Sequence, residues 1–443
     1  MKKYSLSFLL WMFCLAVSMV ACKKSHNDPA PNGPAMHPVI NSISPDHGPK
    51  NTAVVIAGNN FGSNAASVKV FFNGVQGSVQ SVSESSITAI VPAKAYKGKV
   101  TVTVDTATAV GPVFTYEVTA VVTTLAGGNR IGGHADGVGT SAKLYGPVGI
   151  AVDKVGNVYV GDVQAYCIRK ITPEGTVTTL SGNPTNQGFA DGTAAGALFA
   201  TPRDLAIDTV GNILYIAEWY TNRVRGIKLD ALQDVSAVST YAGGSSGGFK
   251  DGPKGTALFH APNAIAVDVA GNLYVIDEEN FRVRKVLPDG SVSTLAGKGI
   301  SGSADGAVGT STIGDWPGAG VAVDANGVVY FSDKTSYTTV RKITSGTATT
   351  IAGKDGTYIG FSGIALDKSG NIIVADNVRN CILSINANGD VAIIAGSPTE
   401  EGLVDGTSDK ARFATPEDVA IDKQGNIYVS DTGNNAIRKI SFE

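Results

Sequence analysis

Five aspartates, each followed by a glycine, are the first residues of this chain that suggest chemistry. Because carboxylate oxygens are preferred calcium ligands, a ring of such residues would suit a metal ion or a polar ligand. A residue that recurs in every repeat more often serves the repeat itself, so we favour Asp-Gly turns, in which glycine takes the positive φ. The five are Asp136, Asp191, Asp251, Asp305 and Asp405.

Histidines are too few for most catalytic sites. After residue 120 the only two are His134 and His260, both in predicted loops. A zinc cage needs several imidazole or thiolate ligands, and a Ser-His-Asp arrangement would have to use one of these same residues. We therefore expect a protein that is not an enzyme and that uses no cofactor and no metal.

Aromatic residues at predicted hairpin tips are candidate ligand contacts. Trp219 and Tyr220 lie together in one hairpin, while Tyr166, Phe281 and Tyr337 share one position in three others. Rigid aromatic faces stack on sugar rings or anchor protein partners. They can equally cover the edges of neighbouring strands, and the sequence leaves both interpretations open.

Polar residues also follow the prolines that open several repeats. Arg203, Asn263 and Glu417 stand where Val148 or Gly318 stands in other repeats. Together with Asp204 and Asp418, they would form a polar floor if the repeats surround a common axis. We treat the first three as candidate ligand-binding residues, although charged side chains at a solvated opening need no functional explanation.

The elements that would position these residues are short strands in a sixfold repeat. Each repeat opens like residues 264–268 (AIAVD), continues like 271–277 (GNLYVID) and closes like 292–297 (VSTLAG). Alternating apolar residues and intervening Asp-Gly-Asn turns indicate four strands per repeat. The sixth repeat lacks its closing strand, and residues 121–128 (VVTTLAGG) supply a matching one. The pattern predicts a six-bladed β-propeller closed by an N-terminal strand.

The repeats resemble NHL repeats, above all at residues 431–439 (DTGNNAIRK) and in the linker from Asp405 to Pro416. The resemblance covers residues 121–443 and places the long loops between blades on the same face as the candidate hairpins. Some six-bladed relatives are lactonases or lyases. The resemblance therefore keeps one alternative open, a propeller lyase or lactonase-like hydrolase with a channel metal.

An arginine recurs on the third strand of the repeats, and its recurrence predicts hydrogen bonds or ion pairs between blades. The examples are Arg169, Arg284, Arg341 and Arg438. Leu383 replaces it in the fifth repeat, which also lacks most of the preceding loop. We expect a notch in the rim there. Cys167 and Cys381 fall in blades that are not neighbours, so we expect two buried, unpaired thiols.

The N-terminus predicts a location. Met1, Lys2 and Lys3 precede an apolar run, residues 4–21, as in a signal peptide of residues 1–21. Residues 19–22 (MVAC) resemble a bacterial lipobox, which implies cleavage before Cys22 and acylation, including palmitate, of that residue as the lipid anchor. A transmembrane anchor is the alternative. Residues 22–37 are polar and proline-rich, as in a flexible tether.

Residues 38–117 resemble an IPT/TIG domain, an immunoglobulin-like sandwich, through strand patterns at residues 38–48, 55–62, 70–74 and 87–92. That resemblance implies a spacer or interaction module. The whole chain is thus expected to be all-β: an N-terminal immunoglobulin-like sandwich followed by the propeller, which occupies residues 121–443.

The layout resembles envelope lipoproteins of the Bacteroidota type. It implies a monomeric lipoprotein of the cell envelope, at the outer membrane, that binds an extracellular or envelope ligand through the loop-rich face of its propeller. A glycan or a protein would be the partner, with the IPT/TIG domain as spacer and the lipid anchor in the membrane. A net charge of −3 offers no basic surface for nucleic acid.

Overall fold

The computed structural model describes residues 37–128, 130–232, 234–244, 246–314, 320–354, 356 and 360–443. Over these residues the chain is built from β-strands and five short 3-10 helices, in two domains. No helix in the described part is long and apolar enough to cross a membrane.

The N-terminal domain is a β-sandwich. The first residues of the strand Val75–Ser83 pair with Val68–Phe72 and the rest pair with Ser86–Ile90, so this strand joins the two layers at one edge. A single apolar core fills the space between the layers, with Phe72 and Phe114 edge to face at 5.3 Å. The remaining strands are Val39–Ser44, His47–Gly48, Ala53–Asn59, Gly98–Val104 and Ala107–Tyr116, with one 3-10 helix at Ala65–Ser67.

The C-terminal domain is a propeller of six antiparallel blades, which confirms the predicted fold. We letter the strands A to D from the channel outward. Blade 1 contains Pro147–Val152, Val158–Asp162, Cys167–Ile171 and Thr176–Gly182; blade 2, Pro202–Asp208, Ile213–Glu218, Arg223–Leu229 and Val235–Gly243; blade 3, Pro262–Val267, Leu273–Asp277, Arg282–Val286 and Val292–Ala296. Blade 4 contains Val321–Val323, Val329–Lys334, Thr338–Thr344 and Thr347–Ala352; blade 5, Phe361–Leu366, Ile372–Asp376, Cys381–Ile385 and Val391–Gly396; blade 6, Pro416–Ile421, Ile427–Asp431, Ala436–Phe442 and Ala120–Gly127.

The ring is closed by the N-terminal strand, as the incomplete sixth repeat predicts. Ala120–Gly127 pairs antiparallel with Ala436–Phe442, from Ala436 opposite Gly127 to Phe442 opposite Ala120. Val122 and Ala126 are fully buried in this blade. Residues from the two ends of the propeller sequence therefore share one hydrogen-bonded sheet.

The D–A loops run along the outer edge of the blade that they enter. Three of them add a short fifth strand to the D strand of that blade: Gly137–Val138 in blade 1, Gly306–Ala307 in blade 4 and Gly406–Thr407 in blade 6. In blades 2 and 3 a single bridge, at Gly192 or Gly252, does the same. Four short 3-10 helices, Gly139–Ser141, Val163–Ala165, Glu278–Asn280 and Thr432–Asn434, complete the loops and hairpins.

The sandwich sits on the face of the propeller that carries the A–B turns. Thr119 and Glu443 exchange two backbone hydrogen bonds, and Lys50 forms an ion pair of 2.7 Å with the Glu443 carboxylate. A cavity between the domains is lined by Tyr96 of the sandwich and Asn426 of the blade 6 A–B turn. The D–A loops and B–C hairpins therefore occupy the opposite face, away from the sandwich.

Candidate functional site

The channel mouth brings together three of the residues that the sequence singles out. Arg203, Asn263 and Glu417, from blades 2, 3 and 6, line one cavity with Asp204 and Asp418. These side chains meet because each follows the proline that begins strand A, the strand next to the axis. The Arg203 Nε–H donates to Asn263 Oδ1 at 2.9 Å.

Glu417 is held from the other side of the mouth. The Ser362 hydroxyl donates to its Oε2 at 2.9 Å, and the Asn377 amide donates to its Oε1 at 3.3 Å. Both partners belong to blade 5, so two neighbouring blades fix this carboxylate. The mouth thus presents a guanidinium and a carboxylate in defined positions, a combination suited to polar ligands.

A buried carboxyl pair closes the channel beneath the mouth. Asp204 accepts the backbone N–H groups of Leu205 and Ile265, and Asp418 accepts those of Ile150 and Val419. The two side chains also hydrogen-bond to each other, and burial raises the pKa of Asp204 to about 6 and that of Asp418 well above its usual value. Because both pKa values are raised, the pair keeps protons at pH values at which free aspartates have lost them.

Glycines on two other A strands, and one directly before a third, keep the channel closed. A Cβ on Gly149 would overlap the Asp204 backbone, one on Gly320 would overlap Ile364, and one on Gly363 would overlap Asp418. The cavity that remains has a volume of about 20 Å³. This is room for one water molecule and far too little for a sugar ring. A larger ligand must therefore lie on the mouth and across the surrounding hairpins.

Trp219 connects the mouth to the rim. Its indole N–H donates to the Glu278 carboxylate of blade 3 at 3.2 Å, and the Trp219 side chain is partly buried. Burial raises the pKa of Glu278 to about 7, while Trp219 and Arg203 oppose the rise. The Asn263 amide nitrogen is buried and has no hydrogen-bond partner among the described residues. Sequence reasoning missed Glu278. The same position holds Val163 or Thr432 in other blades, and this departure from the repeat could have identified it as a candidate site residue.

The remaining aromatic candidates are spread around the rim. Tyr220 is the most exposed, at 64%. Tyr166 and Phe281 each adopt a left-handed conformation with φ of 51° at the end of a 3-10 turn, and Phe281 packs into the apolar cluster between blades 3 and 4. Tyr337 does not share their position, because an extra strand pair, Lys334 with Thr338, lengthens its hairpin. The structure does not bring these three residues together.

The five Asp-Gly aspartates form structural ion pairs instead of a ligand ring. In each, a buried arginine of strand C binds an acid of strand B and the aspartate of the D–A loop, and we call this arrangement a latch. In blade 6, Arg438 is fully buried and binds Asp431 of strand B at 2.8 Å and Asp405 of the D–A loop at 2.7 Å. Asp405 in turn accepts hydrogen bonds from the backbone and hydroxyl of Thr124 on strand D. Equivalent latches are Arg169 with Asp162 and Asp136, Arg225 with Glu218 and Asp191, Arg284 with Asp277 and Asp251, and Arg341 with Asp333 and Asp305.

These ion pairs correct one prediction from the sequence. The arginines were expected to join neighbouring blades, but each latch lies within a single blade. The reason is the path of the D–A loop, which has already joined the outer edge of the blade that holds the arginine. The loop aspartate therefore reaches the arginine of its own sheet.

No latch is present in blade 5 among the described residues. Leu383 occupies the arginine position, and the Asp376 Oδ2 atom is buried without a hydrogen bond among the described residues. Asp376 Oδ1 accepts the backbone N–H groups of Val378 and Arg379 instead. The arginine and most of the D–A loop are missing together. Without the loop aspartate the arginine would lack one of its acids, and without the arginine the loop aspartate would lack its cation.

Other predicted features give no second site. Cys167 and Cys381 are buried free thiols, and burial raises the pKa of each to about 12. Among the residues that the structure describes, no three His, Cys, Asp or Glu side chains come together as a metal site. Cys22, the predicted lipid anchor, lies outside the described residues.

Comparisons with known families agree with this architecture. Residues 38–119 match the IPT/TIG domain family, residues 126–308 match the Teneurin NHL domain, and residues 413–440 match the NHL repeat. The chain therefore consists of an IPT/TIG domain followed by a six-bladed propeller of NHL repeats.

Individual relatives match this chain to different extents. A solved structure described as an auxiliary nutrient binding protein, from Bacteroides ovatus, superposes with a TM-score of 0.62 at 18% identity, over 94% of this chain and 100% of that one. A Bacteroides thetaiotaomicron protein of unknown function has a TM-score of 0.59 at 23% identity, over 93% and 99%. Teneurin-3 of Danio rerio is 27% identical over an alignment 388 positions long, which covers 74% of this chain but 13% of that protein.

Proposed function

We propose that this protein is a non-enzymatic lipoprotein of the cell envelope that binds a glycan or protein ligand through the loop-rich face of its propeller. The observation that carries the proposal is the channel mouth. Arg203, Asn263 and Glu417 converge there, although their counterparts in other repeats are small. Residues that depart from a repeat are better candidates for recognition than residues that every blade shares.

The position of the mouth supports binding at a membrane surface. The sandwich lies on the opposite face, next to the chain end that leads towards Cys22. With Cys22 acylated, the loop-rich face would point away from the outer membrane. The similarity to a protein described as an auxiliary nutrient binding protein makes an extracellular nutrient, such as a glycan, the favoured ligand.

The alternative of a lyase or lactonase-like hydrolase would require a channel metal. The carboxylates at the mouth are already engaged: Asp204 and Asp418 by backbone N–H groups and each other, Glu417 by Ser362 and Asn377. No observation among the described residues favours this activity.

The experiment is a glycan array probed with the full chain in detergent and with a Trp219→Ala/Tyr220→Ala variant. We expect a glycan signal that the double variant loses, because Trp219 hydrogen-bonds to Glu278, whose carboxylate interacts with Arg203 of the mouth, and the neighbouring Tyr220 is exposed. Tyr96→Ala, which removes an exposed aromatic of the sandwich, serves as the matched control. Equal signals from all three proteins would exclude this hairpin, and no glycan signal would direct the search to a protein partner by cross-linking on cells.

A further inference from the structure

The side chains that depart from the repeat are concentrated on two neighbouring blades. We call this surface the blade 2–3 sector. It runs from the channel mouth to the outer rim of the loop-rich face and consists of Phe189, Arg203, Trp219, Tyr220, Arg223, Phe249, Asn263 and Arg282. It also contains one buried acid, Glu278, whose carboxylate is engaged by the Trp219 indole.

Two matching arginine–phenylalanine stacks form the outer part of the sector. The Arg223 guanidinium lies 3.8 Å from the ring centre of Phe189, and the Arg282 guanidinium lies 3.7 Å from that of Phe249. Both phenylalanines are more than 40% exposed. A guanidinium stacked on a ring keeps its N–H edge available for a planar anion. Arg223 and Arg282 each lie two residues before the latch arginine of strand C. The same position in the other blades holds Cys167, Thr339, Cys381 or Ala436, so the stacks are confined to blades 2 and 3.

The arginines of the sector are bound by neutral oxygens. Arg203 donates to the Asn263 side chain, Arg223 to the Thr221 carbonyl and Arg282 to the Asn280 carbonyl. Within the described ranges none of the three forms an ion pair. Other cations on this face do: Arg130 with Glu401, Arg412 with Glu400 and Lys354 with Asp305.

A structural role for Arg223 and Arg282 is the competing explanation. Each lies beside a latch in which one arginine faces two carboxylates, and a second arginine would offset the extra negative charge. The latches of blades 1 and 6 also have two carboxylates and one arginine, yet Cys167 and Ala436 occupy the position of Arg223 and Arg282 there. The latch therefore forms without a second arginine, and the charge balance does not explain the stacks.

We propose that the blade 2–3 sector binds a carboxylate-bearing glycan. This inference rests on the proposed function and names its ligand class. Guanidinium groups pair with carboxylates through two parallel hydrogen bonds, so Arg223 and Arg282 engage acidic groups along an extended chain. Tyr220 and Trp219 provide a ring surface between the stacks and the mouth. Arg203 contacts the part of the ligand that reaches the mouth, since the closed channel admits no ring.

The test measures binding of the full chain in detergent to polygalacturonate, alginate and hyaluronan, each beside its carboxyl-reduced, neutral form. We expect at least one acidic polymer to bind and its reduced form not to bind. Arg223→Gln/Arg282→Gln should weaken that binding at least about tenfold, and added salt should weaken it as well. Arg130→Gln/Arg412→Gln, which removes two rim arginines already paired with acids, should leave it unchanged.

Thermal unfolding of both double variants shows whether the fold is intact. Equal weakening by the two pairs of substitutions would overturn the inference, because the effect would reflect overall charge. Failure of all three acidic polymers to bind would overturn it too. If a neutral polymer then binds and Trp219→Ala/Tyr220→Ala abolishes that binding, the proposed function stands without acidic selectivity. If no polymer of either kind binds, the glycan form of the proposed function fails with it.

Discussion

At the scale of single residues, the Asp204–Asp418 pair is the most unusual group in the propeller. Two blades that are not neighbours, 2 and 6, meet there across Gly149, whose missing side chain makes the approach possible. Four backbone N–H groups orient the carboxyl groups. Because burial disfavours two negative charges, the pair retains a proton in the folded protein that the unfolded chain releases.

The pair should make stability depend on pH. A carboxyl group whose pKa is raised by folding stabilises the protein below its unfolded pKa, and that contribution is lost as the pH rises through the folded value. For Asp204 the window runs from its usual 3.8 to about 6. Over it we expect the free energy of unfolding to fall by up to about 1.4 kcal/mol per pH unit for one proton.

Urea unfolding of the wild type and of Asp204→Asn at a series of pH values measures this dependence. The substitution gives up one acceptor of a backbone N–H group, so its absolute stability can fall. As the pH rises from 4 to 6, the free energy of unfolding of the wild type should nevertheless fall relative to that of the variant. A difference that stays constant over this range would show that folding does not raise the pKa of Asp204.

At the scale of single elements, the latch explains how a narrow blade holds a long outer loop. One buried guanidinium joins strand B, the D–A loop and, through the loop aspartate, strand D. In blade 6, Arg438 also donates to the carbonyl groups of Arg412 and Val404. Its guanidinium lies 5.1 Å from the ring centre of Phe413. Removal of the cation would leave Asp431 buried and without its counter-ion.

Arg438→Leu should therefore lower the free energy of unfolding by about 3–5 kcal/mol, because removing one partner of a buried ion pair leaves the other charge buried and uncompensated. Blade 5 supplies the matched control, since Leu383 already fills the same place there. Leu383→Met, a swap of similar volume, should cost less than about 1.5 kcal/mol. Denaturant unfolding of both variants tests this, and a similar small loss in both would mean that the latch contributes little.

Blade 5 should be the least protected blade. Its outermost strand, Val391–Gly396, has no fifth segment on its edge among the described residues, and Ile393 is 52% exposed. Few buried contacts and open backbone groups lower the free energy of local opening.

We expect backbone amides of Val391–Gly396 to exchange with solvent at least about tenfold faster than those of Thr176–Gly182 in blade 1, a difference of about 1.4 kcal/mol. Hydrogen exchange followed by mass spectrometry of the native protein makes the comparison. Blade 1 is the appropriate reference because it carries both the latch and the outer strand. Equal protection of the two strands would show that the missing latch has no energetic consequence.

At the scale of the whole molecule, stability depends on a strand that precedes the other propeller strands in sequence. Ala120–Gly127 completes blade 6, and its other edge receives Gly406–Thr407. The sandwich is attached next to that strand through Thr119 and Glu443. Loss of the sandwich alone removes few propeller contacts, whereas loss of the strand leaves Ala436–Phe442 as an open edge.

Two truncations separate these contributions. Deletion of residues 1–119 should leave a propeller that unfolds cooperatively, while deletion of residues 1–127 should lower the free energy of unfolding by several kcal/mol, because buried Val122 and Ala126 leave with the strand. Thermal unfolding and limited proteolysis of the region after Ala436 provide the readouts. The same stability in both truncations would contradict closure by this strand.

The sequence alone determined the fold, because its signals are local and repeated. The alternating apolar residues and the Asp-Gly-Asn turns predict six blades. The closing-strand motif that precedes the first repeat, instead of following the sixth, predicts how the ring is closed. In the observed turns the first aspartate binds the asparagine four residues later, as Asp268 does with Asn272. The convergence of Arg203, Asn263 and Glu417 also follows from sequence, since each occupies the same place in its repeat.

The tertiary structure decided what depends on contacts between distant blades or on the path of a loop. Only the folded ring shows that Asp204 and Asp418 touch, that Trp219 binds Glu278, and that the channel is too narrow for a ring. The loop path turned the expected contacts between blades into latches within them, and one added strand pair moved Tyr337 out of register. These outcomes are set by packing distances around the axis, which a repeat pattern read along the chain does not contain.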